Sequence, residues 1–248
     1  MKKWAIYSKF RDKNDIVAGT TLKDSNYFCD FSLALHTGQD REGILKNREE
    51  FMKRFNKSFK FVSLNQVHSS RVVDIDDIEL KERWSELNLE ADGFVTSKPN
   101  LILNILTADC IALLAYDSKK KIIGAAHAGW RGSRGNIAKS LIDKMKAIGA
   151  NPKDIIVAIS PSIRGCCYEV NEEIASYFKE YPQAIRKEKD RIFLDISIIN
   201  RVQLLEEGIE KNNIEVSAIC TSCSVDSYFS YRKESGCKGR FISFIGMK

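Results

Sequence analysis

The stretch from Leu101 to Gly132 constrains the fold more tightly than any other part of the chain. It holds three strand-like apolar runs, Leu101–Leu106, Ile111–Tyr116 and Lys121–His127, separated by short polar punctuation. Asp117 to Lys120 reads as a turn, so the second and third runs pair as a hairpin. Antiparallel register about that turn puts residues near 127 across from Cys110, gathering Cys110 and His127 at the far end of the hairpin.

Around this hairpin the pattern alternates between strands and helices. Phe59–Leu64 leads to His68, Arg71–Ile75 leads away from it, and Gly93–Thr96 precedes the long runs; Ile155–Ile159, Val216–Ile219 and Arg240–Ile245 read as later strands. Helical spacing of apolar residues predicts helices over Arg41–Phe55, Gly132–Ile148 with Gly149 as its stop, Asn171–Tyr181 with Asn171 as N-cap, and Ile196–Lys211. Frequent hairpins argue against pure βαβ winding. The expected class is α+β (mixed α/β): one domain over residues 1–248, with mixed β-sheets flanked by helices. With 248 residues and 44% hydrophobic content, one full core is within reach, and no Pro/Gly linker marks a second domain.

Composition narrows the functional classes. Neither the N-terminal residues nor any later run supplies the apolar segment of a signal peptide or membrane span, so a cytoplasmic protein with no membrane partner is expected. The net charge of +6 is spread as mixed pairs, and the densest run, Lys119–Lys121, falls in the hairpin turn; this is a solvated surface rather than a nucleic-acid footprint. Seven cysteines in such a chain point to thiols or metal ligands, not a disulfide framework.

The chain has three histidines, and two flank the hairpin cysteine in segments rich in turn residues. His68, Cys110 and His127 each end or leave a strand-like run, a donor set suited to zinc with a fourth position left open. A lone cysteine can equally be a buried apolar residue, and a lone histidine a hydrogen-bonded structural one. The segment His127-Ala-Gly-Trp-Arg-Gly132 favours the metal reading: two glycines allow close backbone approach, and Arg131 adds a cationic fork.

The blocks Asn65-Gln-Val-His68, Ala91-Asp-Gly-Phe94, Thr107-Ala-Asp-Cys110, His127-Ala-Gly-Trp-Arg-Gly132, Cys166-Cys-Tyr-Glu-Val170 and Phe229-Ser-Tyr-Arg232 occur in an order that resembles the laccase-domain family. Its members carry the names polyphenol oxidase, purine nucleoside phosphorylase and peptidoglycan editing factor. The resemblance implies a Zn2+ enzyme, with its ligands on His68, Cys110 and His127. The implied reactions are phosphorolysis of adenosine, inosine or S-methyl-5'-thioadenosine and deamination of adenosine. Purine nucleoside and phosphate are then the small-molecule partners, and a monomer or homodimer is expected. A true multicopper laccase is excluded, because its copper centres consume roughly ten imidazoles.

Asp109, beside Cys110, is the candidate general acid/base, with turn-capping as its alternative. Arg131 and Arg48 are candidates for a phosphate clamp. Gln66 either binds substrate or fixes the turn before His68, and His36 reads as a surface or structural residue. Cys166, Cys167, Cys220, Cys223 and Cys237 read as inert thiols, since only one Cys-x-x-Cys pair exists. Arg232 and Arg240, around the aromatic run 228–231, line a groove or form strand-end pairs. The chain departs from the family at Thr20-Thr-Leu-Lys-Asp-Ser25, where the usual arginine and glycine pair are missing, and this bears on phosphate binding more than on the metal. Two other classes stay open: a Cys110–His hydrolase editing cell-wall precursors, and a zinc-dependent binding or redox-responsive protein without turnover.

Overall fold

In the computed structural model, which describes residues 4–248, the apolar runs become inner strands of two six-stranded sheets. The first sheet has the order Trp4–Ala5, Ile16–Thr21, Phe241–Met247, Leu101–Thr107, Lys60–Asn65, Trp84–Glu90. The second runs Ile214–Val216, Ile155–Ile159, Ile111–Asp117, Ile122–Ala128, Gly93–Thr96, Val72–Asp74. Both mix parallel and antiparallel pairs. A third, three-stranded sheet joins Glu169–Val170, Arg191–Leu194 and Ile185–Glu188.

Alternation along the inner strands explains why their sequences are largely apolar on both faces, with only isolated buried polar residues such as Asn104 and Ser243. Leu101, Leu103 and Ile105 share one core with Ala112, Leu114 and Tyr116 of the second sheet. The intervening Ile102 and Leu106 join Phe61, Phe244 and Phe51, the last from helix Arg41–Met52. Leu113 and Ala115 pack with Leu141, Met145, Ile199 and Leu204 of helices Ile137–Ala147 and Ile196–Glu206. The layers are therefore helix, sheet, sheet, helix, and a strand between two such cores has no polar face to show. Each fully buried side chain of this size contributes about 1.5–3 kcal/mol. This is the mixed α/β single domain with flanking helices that the pattern implied.

The hairpin forms: His127 pairs with Ala112 and Ala128 with Ile111, so Cys110 lies just beyond the strand end and is gathered with His127 at the far end of the hairpin. The helix expected over 132–148 is two helices, Trp130–Arg134 and Ile137–Ala147. Between them Asn136 adopts φ +54 and caps the second helix through the Lys139 N–H. The break lies beside the Ser70 segment, which approaches so closely that a Cβ at Gly135 would lie 2.9 Å from Ser70 Oγ.

Other boundaries moved for local reasons. Helix 41–55 ends at Met52, and Asn171 does cap a helix, but only Glu172–Ser176. Ile196–Glu206 stops short of Lys211 because Gly208 takes φ +86, a left-handed stop. The strand expected at 216–219 is Ile214–Val216, and the last strand is Phe241–Met247. Ile16–Thr21, Trp84–Glu90 and the third sheet were not expected from the sequence. Among the described residues no helix is long and apolar enough to cross a membrane; residues 1–3, part of the N-terminal segment read for a signal, lie outside the described residues.

Candidate metal centre and its cavity

Three strand ends converge at one end of the two sheets. Leu101–Thr107 passes from the first sheet to the second through the turn that carries Cys110, His127 closes on the last residues of its strand, and His68 follows Lys60–Asn65. The ligand atoms of His68, Cys110 and His127 all lie within 4.8 Å of one another, a group that could hold a metal ion. The two imidazoles meet edge to face with centroids 4.8 Å apart. Gly129 occupies the gap between them: a Cβ there would sit 3.2 Å from Cys110 Sγ, 3.4 Å from His68 Cδ2 and 3.9 Å from His127 Cε1. The glycine keeps the cradle open.

Asp92, whose role the sequence did not reveal, organises this cluster. Wholly buried, its carboxylate accepts hydrogen bonds from the backbone N–H groups of Val67, His68 and Ser69 and from the Ser69 hydroxyl. It also pairs with His127 Nδ1 at 2.8 Å. The first set holds His68 in the left-handed conformation, φ +62, which is unfavourable for a side chain of its size. The second fixes Nδ1–H as donor and leaves Nε2 as the nitrogen available to a metal.

Charge is concentrated here. Burial pushes the Cys110 thiol up, but the charge of His127 and hydrogen bonds from both imidazoles outweigh it and bring the thiol down to about 6. Burial lowers His127 while the Cys110 charge and the Asp92 hydrogen bond raise it more, to about 9. Thiolate and imidazolium stabilise each other, so a metal entering this site displaces the imidazole proton.

A cavity of about 510 Å³ opens over the cluster, within the usual size range for small-molecule sites. Of the residues singled out from sequence, Gln66, His68, Asp109, Cys110, His127 and Arg131 line it. Gln66 clamps both backbone groups of Leu106, Nε2 donating to the carbonyl and Oε1 accepting from the N–H at 2.9 Å each; it fixes the turn before His68. Asp109 is anchored in the wall: its oxygens accept from the Thr221 hydroxyl at 2.6 Å and the Arg232 N–H at 2.7 Å, holding the residue at φ +89. Arg131 is exposed, with its guanidinium 4.3 Å from the Trp130 ring centre.

Arg48 is not part of the site. It is buried under the helix Arg41–Met52, where Nε donates to the Leu33 carbonyl, Nη2 pairs with Glu86 at 2.7 Å and the guanidinium stacks on Trp84. That burial corrects its assignment to a phosphate clamp. His36, read from sequence as a surface or structural residue, is exposed and lines the cavity with Arg240; partial burial together with that charge lowers its pKa. Tyr168, Arg232 and the hydroxyl of Thr107 complete the wall; the hydroxyl is buried with no partner among the described residues.

Of the cysteines read from sequence as inert thiols, Cys166, Cys167, Cys220 and Cys223 come together so that their sulfur atoms lie within 4.8 Å of one another, while Cys237 is not in this group.

Residues 20–248 match the family model described as multi-copper polyphenol oxidoreductase laccase. A Bacillus subtilis protein named purine nucleoside phosphorylase YlmD is 31% identical over 96% of this chain and 91% of its own. A protein named adenosine deaminase RL5, from an unknown prokaryotic organism, is 29% identical over 90% of this chain and 89% of its own. The crystal structure of YlmD from Geobacillus stearothermophilus superposes with a TM-score of 0.87 at 29% identity, covering 98% of this chain and 94% of that one. By the extent of these matches and the order of its blocks, the chain belongs to the multi-copper polyphenol oxidoreductase laccase family.

Proposed function

We propose that this protein is a zinc-dependent enzyme of purine nucleosides, carrying out phosphorolysis of adenosine, inosine or S-methyl-5'-thioadenosine and deamination of adenosine. The observation that carries this reading is a cluster of two imidazoles and one thiol on the floor of a cavity lined by arginines. Relatives named purine nucleoside phosphorylase and adenosine deaminase support the substrate class. The functional unit is one zinc-binding domain spanning 1–248, cytoplasmic and acting as a monomer or homodimer.

The donor set fits zinc on two counts. Two nitrogens and one sulfur are ligands zinc accepts, and three protein donors leave a position for substrate. The Gly129 gap provides room that any other side chain would fill. His68, Cys110 and His127 would hold the ion, which when bound supplies Lewis acidity at its open position.

The chain's own residues do the rest. Asp92 orients His127 and the His68 turn, and Gln66 and Asp109 hold the cavity walls, so the donors meet substrate without rearrangement. Arg131, at the N-terminal end of the helix Trp130–Arg134, is the cation available to grip phosphate, with Arg232 and Arg240 behind it. The Tyr168 ring beside the cluster offers a stacking face for a purine, and the unpartnered Thr107 hydroxyl a hydrogen bond.

A product assay on adenosine tests the proposal. Adenine that forms only with phosphate supports phosphorolysis, and inosine formed without phosphate supports deamination. Unchanged adenosine from folded, zinc-loaded protein under both conditions would refute the function.

A further inference from the structure

We propose that Cys166, Cys167, Cys220 and Cys223 form a second metal centre, a closed four-thiolate site for structural zinc. It is separate from the His68–Cys110–His127 cluster and shares no ligand with it.

Geometry carries the assignment. A tetrahedral zinc with Zn–S bonds of about 2.3 Å spaces its sulfur atoms about 3.8 Å apart. The Cys223 sulfur lies 3.8 Å from that of Cys166 and 3.3 Å from that of Cys167, and all four fall within 4.8 Å of one another. None is in a disulfide. Four thiols with no imidazole or carboxylate make a saturated set, the donor pattern of structural rather than catalytic zinc.

The backbone is shaped for it. Cys220-Thr-Ser-Cys223 supplies two sulfurs from one turn, and the Arg164 N–H points at the Cys220 sulfur at 3.4 Å. Across from it the chain curls tightly, with the N–H groups of Cys167 and Tyr168 both donating to the Arg164 carbonyl. That curl is how two adjacent residues converge on one point, a convergence their spacing conceals in the sequence. Arg164 and Arg186 line the same surface depression as Cys166 and Cys220, each paired with a carboxylate, Asp195 and Glu188 respectively.

Such a centre joins two segments that lack regular structure and that build the cavity wall. One, after Ile155–Ile159, leads to Tyr168; the other, after Ile214–Val216, carries Thr221, which holds Asp109. The two segments already touch through the Ser162–Cys220 bridge, through the Ser162 backbone bonded to Ile219 and Thr221, and through the Arg164 guanidinium donating to the Ser217 carbonyl. A metal staple would fix this wall without touching substrate.

Metal analysis of the full-length protein, purified reduced and without chelator, tests the site. The expected result is two zinc ions per chain in the wild type and one each in Cys220→Ser/Cys223→Ser and in Cys110→Ala. An unchanged stoichiometry in the double serine variant overturns the proposal, as does iron in place of zinc. A second measurement on the wild type guards against misfolding of the variants. Alkylation before and after zinc removal, read by mass spectrometry, should show Cys166, Cys167, Cys220 and Cys223 protected only while zinc is bound. Equal labelling of these four in both states, or recovery of a disulfide among them from the zinc-loaded protein, overturns it too.

Discussion

Asp92 and His127 are joined by a 2.8 Å hydrogen bond between two side chains sealed from solvent, and the same carboxylate carries the turn that presents His68. One residue thereby sets the position of two of the three candidate ligands. Oδ1 serves the His68 N–H and His127, and Oδ2 serves Val67, Ser69 and the Ser69 hydroxyl. In Asp92→Asn, either orientation of the amide aims an NH₂ at donors. The expected outcome is metal affinity lowered about 10–100-fold and stability lowered by about 1–3 kcal/mol. Chelator competition and thermal melting measure the two, and wild-type affinity in this variant would remove Asp92 from the role.

Gly129→Ala separates crowding of the cradle from damage to the backbone. Its φ of −79° and ψ of 179° are open to alanine, so any loss comes from the methyl group 3.2 Å from Cys110 Sγ. Metal occupancy should fall while the far-ultraviolet circular dichroism and melting temperature stay close to wild type. Full occupancy would mean that the gap has no part in binding.

Much of this site was legible because its chemistry sits on strong local patterns. The apolar runs around Cys110 and His127 set the strands, and the tight glycine turn marked the segment after them. Asp92 was not legible: its partners are 23 to 35 residues away, and nothing near it distinguishes it from a turn aspartate. The four-sulfur cluster was hidden the same way, since Cys166 and Cys223 are 57 residues apart and only the fold brings them together. Arg48 misled in the opposite sense. An arginine on a helix is usually exposed, and only the packing of Trp84 and Glu86 reveals it as buried scaffold. The strand Ile185–Glu188 escaped notice because three of its four residues are exposed and charged, with no apolar alternation to read.

The two arginines proposed from sequence should now behave differently. Arg131→Ala removes a charged donor at the cavity, worth about 1.5–3 kcal/mol, so KM for phosphate should rise by about 10- to 100-fold with the fold intact. Arg131→Lys should recover only part of this, because a point charge does not reproduce the fork. Arg48→Ala should instead lower stability by about 1–3 kcal/mol, through the Leu33 bond, the half-exposed Glu86 pair and the Trp84 stack, and leave KM for phosphate unchanged. Steady-state kinetics beside thermal melts distinguish them, and the reverse pattern would return Arg48 to the clamp.

Asp76 gives a pH signature remote from the metal. Burial acts to raise its pKa, but hydrogen bonds from the Ser97 hydroxyl and N–H and from the Thr96 hydroxyl outweigh it, and the carboxyl is held below its usual range. A carboxylate depressed in the folded state adds stability that is fully present above its unfolded pKa and is lost as pH falls through the folded one. Asp76→Asn keeps one acceptor and cannot titrate. The variant should therefore be less stable than wild type at neutral pH, and the gap should close as the pH drops below the ordinary aspartate range. Denaturant melts of both proteins from neutral to strongly acidic pH check this, and a gap that stayed constant or widened toward acid would show that Asp76 is not held ionised by the Thr96–Ser97 turn.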